Sequence, residues 1–190
     1  YPAPPLSTTP ASFNTGKITV NSSNGDLWVG GVAGNAGNGR RMVGMGNEGD
    51  IDVTTTNASN TIYVGGLRGF VNGQINKNGS VLNYNTGNVS VTTSAKTTYV
   101  GGVASLDGAT SVRASNSGNV TYTYTGEAST AVKVYASLGI ASRSGSTATE
   151  EGTYSGTVTL NNTSGITANC GLLYGYVKSA CGSKLNAINI

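Results

Sequence analysis

The chain has 190 residues, 10% of them charged, with 11 Lys and Arg against 8 Asp and Glu and a net charge of +3. Such sparse, balanced charge excludes disorder driven by repulsion. It also excludes the Lys/Arg stripe a nucleic-acid binder needs, since Arg40-Arg41 is the one adjacent basic pair. No apolar run approaches the roughly 20 residues of a transmembrane helix, so no membrane span is expected.

Residues 1–13 read as a proline-rich N-terminal arm. All four prolines lie there, Pro2, Pro4, Pro5 and Pro10, beside Tyr1 and Leu6. Proline fixes φ and removes a donor, so extended, polyproline-like backbone is expected. The arm either caps the first coil or lies on a neighbouring molecule. A start at Tyr1 without Met reads as a processed mature chain.

A repeat domain is predicted over 14–190. Its first signal is Asn-x-Gly-x-(Ile/Val)-x-(Val/Tyr), at Asn14 to Val20, Asn47 to Val53, Asn85 to Val91 and Asn116 to Tyr122. A fifth copy, Tyr154 to Leu160, has Tyr in place of Asn. Asn-x-Gly marks a turn, and the alternation after it is that of a half-buried strand. Ile18 and Val20 are predicted inward, Lys17 and Thr19 outward.

The second signal is Tyr63-Val64-Gly65-Gly66-Leu67-Arg68-Gly69. It returns as Trp28 to Gly34 and Tyr99 to Ser105, then as Tyr135 to Ser142 with one extra residue and as a faint copy from Cys170 to Gly175. The leading positions 28, 63, 99, 135 and 170 are spaced by 35, 36, 36 and 35 residues. Paired glycines inside a strand signal a bend, a bulge or a close backbone approach. A third, fainter strand carries Val43, Val81 and Val112 four residues before the Asn position. Glu150 interrupts that column and Leu185 restores it, so the chain stops as a sixth repeat would start.

A fixed period of this size predicts an all-β fold, a β-helix (β-solenoid) of about five coils with three strands per coil. A propeller blade needs four strands and usually 40 or more residues.

The order Tyr-Val-Gly-Gly-Leu-x-Gly, a turn, then Val81-Leu82-Asn83-Tyr84-Asn85-Thr86-Gly87-Asn88-Val89-Ser90 resembles the GLUG repeat. The resemblance covers about residues 14–142 well and 143–190 poorly. It implies a secreted or cell-surface bacterial protein, often adhesin-like, and carries no catalytic site.

The residues point away from catalysis. There is no His, the commonest general base and metal ligand. The carboxylates are Asp26, Glu48, Asp50, Asp52, Asp107, Glu127, Glu150 and Glu151. Asp50 and Asp52 share a face, but two carboxylates fall short of a calcium site; stacking instead predicts Lys17 beside Asp50 and Thr19 beside Asp52. Glu150 and Glu151 are adjacent and so point to opposite faces of a strand, unlike the paired carboxylates of a glycosidase. No nucleophile elbow is present. The chain is therefore expected to be a non-enzyme, with no metal and no cofactor.

Three surface features remain. Trp28, Tyr63, Tyr99 and Tyr135 should form a column. It faces outward if Leu27, Val29, Ile62 and Val64 face inward, and is core if the double glycine reverses the parity; Thr98, in the place of Leu27 and Ile62, speaks for the second. Outward, the column would offer a ligand or subunit contact. Thr19, Asp52, Ser90, Thr121 and Thr159, with Asn21, Thr54, Thr92, Thr123 and Asn161, form outer polar columns. Cys170 and Cys181 are predicted to form a disulfide that pins the last coil, worth about 2–3 kcal/mol in the chain-entropy model.

The resulting expectation is an extracellular or cell-surface structural protein. It would associate with copies of itself head to tail, through open solenoid ends and the N-terminal arm, into a filament or scaffold. The alternative is an adhesin module that binds a glycan or host protein through the aromatic column or the variable segments 35–46, 70–84, 106–115 and 143–153. An ice-binding Thr array and a β-helix polysaccharide-active enzyme rank below both.

Overall fold

The alternation that follows each Asn-x-Gly turn builds one wall of the molecule. The computed structural model describes residues 12–37, 41–71, 74–75, 83–107, 111–143, 147–177 and 182–186. Strands Ile18–Ser22, Ile51–Thr55, Val89–Thr93, Val120–Tyr124 and Val158–Asn161 lie side by side in parallel. Ile18, Ile51, Val89, Val120 and Val158 are register neighbours along a single line. The fold is thus a β-solenoid, with strands and no helix among the described residues.

The other walls follow from the same period. The second holds Leu27–Gly30, Thr61–Gly65, Thr97–Gly101, Lys133–Ser137 and Thr167–Gly171. The third holds Ala33–Ala36, Arg68–Val71, Ala104–Asp107, Ile140–Arg143 and Tyr174–Val177. A fourth, from Ser12–Asn14 to Gly182–Asn186, closes each coil. Three strands per coil were predicted, and four walls are present. The glycine pair is the reason. It is a corner, where the chain leaves the second wall and folds back on it as the third. Behind it, a Cβ on Gly69 would lie 2.7 Å from the backbone nitrogen of Val29.

The inward residues make one core. Ile51, Val53, Ile62, Val64, Val89, Val91, Val100, Val120, Val134 and Ile140 are buried in it. Burial of such side chains at about 25 cal/mol per Å² is the main driving force. Arg68 and Arg143 are buried too, and the Arg143 guanidinium lies 5.9 Å from the Tyr174 ring centroid.

An asparagine ladder runs beside this apolar core. Nδ2 of Asn14 donates to Oδ1 of Asn47, Asn47 to Asn85, and Asn85 to Asn116, each at 2.7 Å. Nδ2 of Asn14, Asn47, Asn85 and Asn116 also donates at 2.8 Å to the carbonyls of Gly16, Gly49, Gly87 and Gly118, two residues on. The turns of Asn14, Asn47 and Asn85 are therefore each tied to themselves and to the next coil.

The ladder explains the second glycine of each pair. A Cβ on Gly31 would sit 2.3 Å from Cγ of Asn47, on Gly66 2.5 Å from Cγ of Asn85, and on Gly102 2.5 Å from Nδ2 of Asn116. The glycine leaves the notch that the amide fills. Where Tyr154 replaces the Asn, Leu138 stands in the register of those glycines, so the two positions change together.

Register corrects three sequence details. Tyr99 pairs Tyr135, Gly101 pairs Ser137 and Ala104 pairs Ile140, so the fourth copy carries no extra residue. Asn169, not Cys170, follows Tyr135 in the aromatic column, and Cys170 pairs Ala136. In the fourth wall Met42 and Ile75 precede Val112, Glu150 and Leu185. Val43 lies outside that line and is exposed; Val81 lies outside the described residues, as do Tyr1, Pro2, Pro4, Pro5, Leu6 and Pro10 of the arm.

Replacing Asn85 by Ala removes three of these bonds and strips partners from buried groups. It should cost roughly 3 kcal/mol in denaturant unfolding. Gly66→Ala, whose Cβ would fall 2.0 Å from the Gly102 carbonyl oxygen, should cost about as much or more. Gly37→Ala has open space around it and should stay within about 0.5 kcal/mol.

Candidate functional site

The aromatic column takes its direction from strand alternation. Ile62, Val64, Thr98, Val100, Val134 and Ala136 point inward and are buried, so Tyr63, Tyr99 and Tyr135 point out. The structure thus resolves the parity left open by Thr98, which is simply a polar residue in the inward column. The rings are partly covered, and Trp28 at the first coil is 42% exposed.

Parallel in-register strands place like residues about 4.8 Å apart, and the rings stack accordingly. Trp28–Tyr63 centroids are 5.8 Å apart, Tyr63–Tyr99 5.1 Å and Tyr99–Tyr135 4.8 Å, with planes within 9° of parallel. Asn169 breaks the series, and Tyr176 of the third wall closes it, tilted 52° over Tyr135 at 5.4 Å. Phe70 meets Tyr63 edge-on. Because each inner ring spends its faces on its neighbours, the ladder offers edges to a partner. A sugar ring packs its C–H face on an aromatic face, and only the two ends of the ladder are free to supply one.

Burial pushes the Tyr99 phenol up to about 12, with its neighbours Tyr135, Tyr63 and Tyr176 adding to the shift. Burial raises Tyr63 as well, with a contribution from Asp26, and carries Tyr122 in the core to about 12.

Four of the carboxylates are used structurally. Asp26 accepts from the Thr61 backbone N–H at 2.8 Å and Glu48 from the Tyr84 hydroxyl at 2.7 Å. Lys17 lies opposite Asp50 in register but its side chain pairs with Asp52, while Asp50 accepts from the backbone and side chain of Asn88. The expected Lys17–Asp50 pair is thus replaced by a diagonal one. Among the described residues no three His, Cys, Asp or Glu cluster as a metal site would require. No helix among them is long and apolar enough to cross a membrane.

The predicted polar columns are present in register. Thr19, Asp52, Ser90, Thr121 and Thr159 run down one line and Asn21, Thr54, Thr92, Thr123 and Asn161 down the next. Cys170 carries a free thiol on an exposed residue, and partial desolvation pushes its pKa up. Cys181 lies outside the described residues, and the predicted bridge has no support.

Both ends of the solenoid are open among the described residues. Ile18–Ser22 and Leu27–Gly30 have strand neighbours on one side only, as do Val158–Asn161 and Thr167–Gly171 at the other end. Inward residues are correspondingly less covered: Ile18, Val20 and Leu27 at one end and Val158 and Leu160 at the other are half-buried, and Ala168 is exposed. A groove of about 240 Å³ at the first coil is lined by Ser12, Phe13, Asn14, Gly31 and Val32. Sequence reasoning missed Phe13, Leu172 and Tyr176, which are 55%, 36% and 43% exposed. An apolar residue breaking the repeat pattern was their only sequence signal.

Comparison with protein-family models, curated proteins and solved structures gave no match.

The raised phenols fix the sign of an alkaline transition. A tyrosine whose folded pKa exceeds its unfolded value of about 10 stabilises the fold below that pH. That contribution is lost as pH rises through the folded value of about 12 for Tyr99 and Tyr122. Ultraviolet titration should therefore show a late-ionising phenol class and declining stability above about pH 10. Tyr99→Phe should keep the stack and make that decline shallower.

Proposed function

We propose that the chain is an extracellular, non-catalytic structural protein of the bacterial surface that associates with copies of itself through its open ends. The carrying observation is that, among the described residues, the end strands are paired on one side only and the core columns reach both ends half-covered. Ile18 and Val158, Val20 and Leu160, Leu27 and Ala168 stand in the same columns at opposite ends. Each end is the neighbour the other lacks, and an open edge templates further pairing. A heterologous contact of this kind propagates into a filament.

The resemblance to GLUG repeats supports the surface location. The absence of His from the chain and the structural bonds made by Asp26, Glu48, Asp50 and Asp52 support a non-catalytic role. An adhesin that binds glycan along the aromatic column is the weaker reading, because the inner rings present edges. The polar face suits solvent contact, and Asp52 with its Lys17 pair interrupts the hydroxyl array an ice-binding surface would need.

Light scattering across a hundredfold range of concentration, with negative-stain electron microscopy, tests the proposal. Mass should rise with concentration and short linear particles should appear. Isolated particles of one chain at the highest concentration would count decisively against it.

A further inference from the structure

The first coil passes from Ile18–Ser22 to Leu27–Gly30 over residues 23–26, all of them exposed. This turn carries Asn24-Gly25. Gly25 holds a left-handed φ of +81°, and open space surrounds the position of its missing Cβ. Without a side chain, its backbone nitrogen is unshielded. No acceptor for the Gly25 N–H lies among the described residues.

The side chain of Asn24 is held from two directions. Nδ2 of Asn57, one coil on, donates to Oδ1 of Asn24 at 3.4 Å. Asn57 is itself fixed, because its Oδ1 accepts from the Ser59 N–H at 2.9 Å. The Ser22 hydroxyl donates to the Asn24 backbone carbonyl at 2.9 Å. A donor aimed at an amide oxygen stabilises the negative charge that gathers there when a nucleophile adds to the amide carbon.

The buried asparagine ladder is built the opposite way. The residues after Asn47, Asn85 and Asn116 are Glu48, Thr86 and Ser117, which bear side chains. Their backbone N–H groups donate to the carbonyls of Asn14, Asn47 and Asn85 at 2.7, 2.8 and 2.9 Å. Those nitrogens are engaged in joining coils, whereas that of Gly25 is not.

We infer that Asn24 is a site of self-modification, at which the Gly25 nitrogen adds to Cγ of Asn24, with Asn57 as the oxyanion donor, and converts the asparagine to aspartate and isoaspartate. The reacting groups are neighbours in the chain, so the addition is intramolecular. The N–Cγ bond forms and the Cγ–Nδ2 bond breaks, closing a succinimide. The proton of the Gly25 nitrogen leaves with Nδ2 as ammonia. One water then opens the ring at either carbonyl. Opening at one restores the main chain with an aspartate; opening at the other routes the main chain through Cγ as isoaspartate. Either product places a carboxylate two residues from Asp26 and lowers the net charge of +3 by one. The aspartate still accepts from Asn57, now through a charge-assisted bond. This chemistry is independent of the self-association proposed above.

Peptide mapping by mass spectrometry, after the full-length chain has stood in mildly alkaline buffer, tests the inference. A gain of one mass unit at residue 24, with labelling by an isoaspartyl methyltransferase, is expected. Asn47, Asn85 and Asn116 should remain amides. Asn57→Asp keeps an acceptor for the Ser59 N–H but removes the donor to Asn24. It should slow conversion at residue 24 by at least about threefold with an unchanged circular-dichroism melt. In urea, where the coils are undone, parent and variant should convert at the same rate. A folded chain that keeps Asn24 intact while the unfolded chain converts would overturn the proposal. So would equal rates in the folded parent and the folded Asn57→Asp variant.

Discussion

The hydrogen bond between one asparagine side chain and the next is the constraint on which this structure depends. A primary amide in a protein interior is costly unless its donors and acceptor are met. Here Asn47, Asn85 and Asn116 are essentially inaccessible to solvent, and each amide finds partners in its own turn and in the adjoining coil. A chain of such bonds polarises along its length and strengthens each link. It also fixes register. A strand that slipped by one residue would turn its apolar set outward and leave the amides without partners. The glycine corner serves the same end by leaving room for the amide. Two motifs about half a coil apart in sequence are thus two halves of one contact.

The outer surface inherits that register. Once Ile18 and its equivalents face in, the intervening residues must line up outside. One result is the stacked ladder from Trp28 to Tyr135. Another is a second polar ladder, in which Asp50 accepts from the Asn88 backbone, Asn88 from Asn119 and Asn119 from Thr157. Neither needs a ligand to account for it. Repetition with one face buried produces columns, and residues that tolerate their own kind as neighbours persist in them: aromatic rings that stack, amides that bond, hydroxyls that meet water.

Repetition also leaves two ends. Inside the solenoid each coil is covered by two others, and stability is close to a sum of such nearest-neighbour terms. The first and last coils have one described neighbour each. Their inward positions are accordingly less covered, and in the last of these coils Ala168 stands where Val134 stands one coil earlier. The same geometry that makes the middle self-sufficient leaves the end strands paired on one side only among the described residues.

Much of this was legible without coordinates. Apolar positions that recur in five copies, with the aromatic-led motif at 35 or 36 residues, specify parallel, in-register stacking, because that arrangement buries every copy alike. The Asn-x-Gly turns, the inward pattern of the first wall and the polar columns outside it follow directly. Other features were beyond local patterns. The glycine pair signals a bend, but that the bend is a corner is decided by the asparagine that arrives from the next coil. Thr98 reads as evidence against an inward column, yet its direction is set by Ile62 and Val134 on either side. Leu172 looks incidental in sequence, and only the stack places it at a corner, in line with Leu138 and the second glycines of the pairs. By itself the sequence determined the period, the alternation and therefore the solenoid, since these are properties of neighbours along the chain. The tertiary structure decided the corners, the parity of the aromatics and the shape of the ends, because each depends on a residue one full coil away.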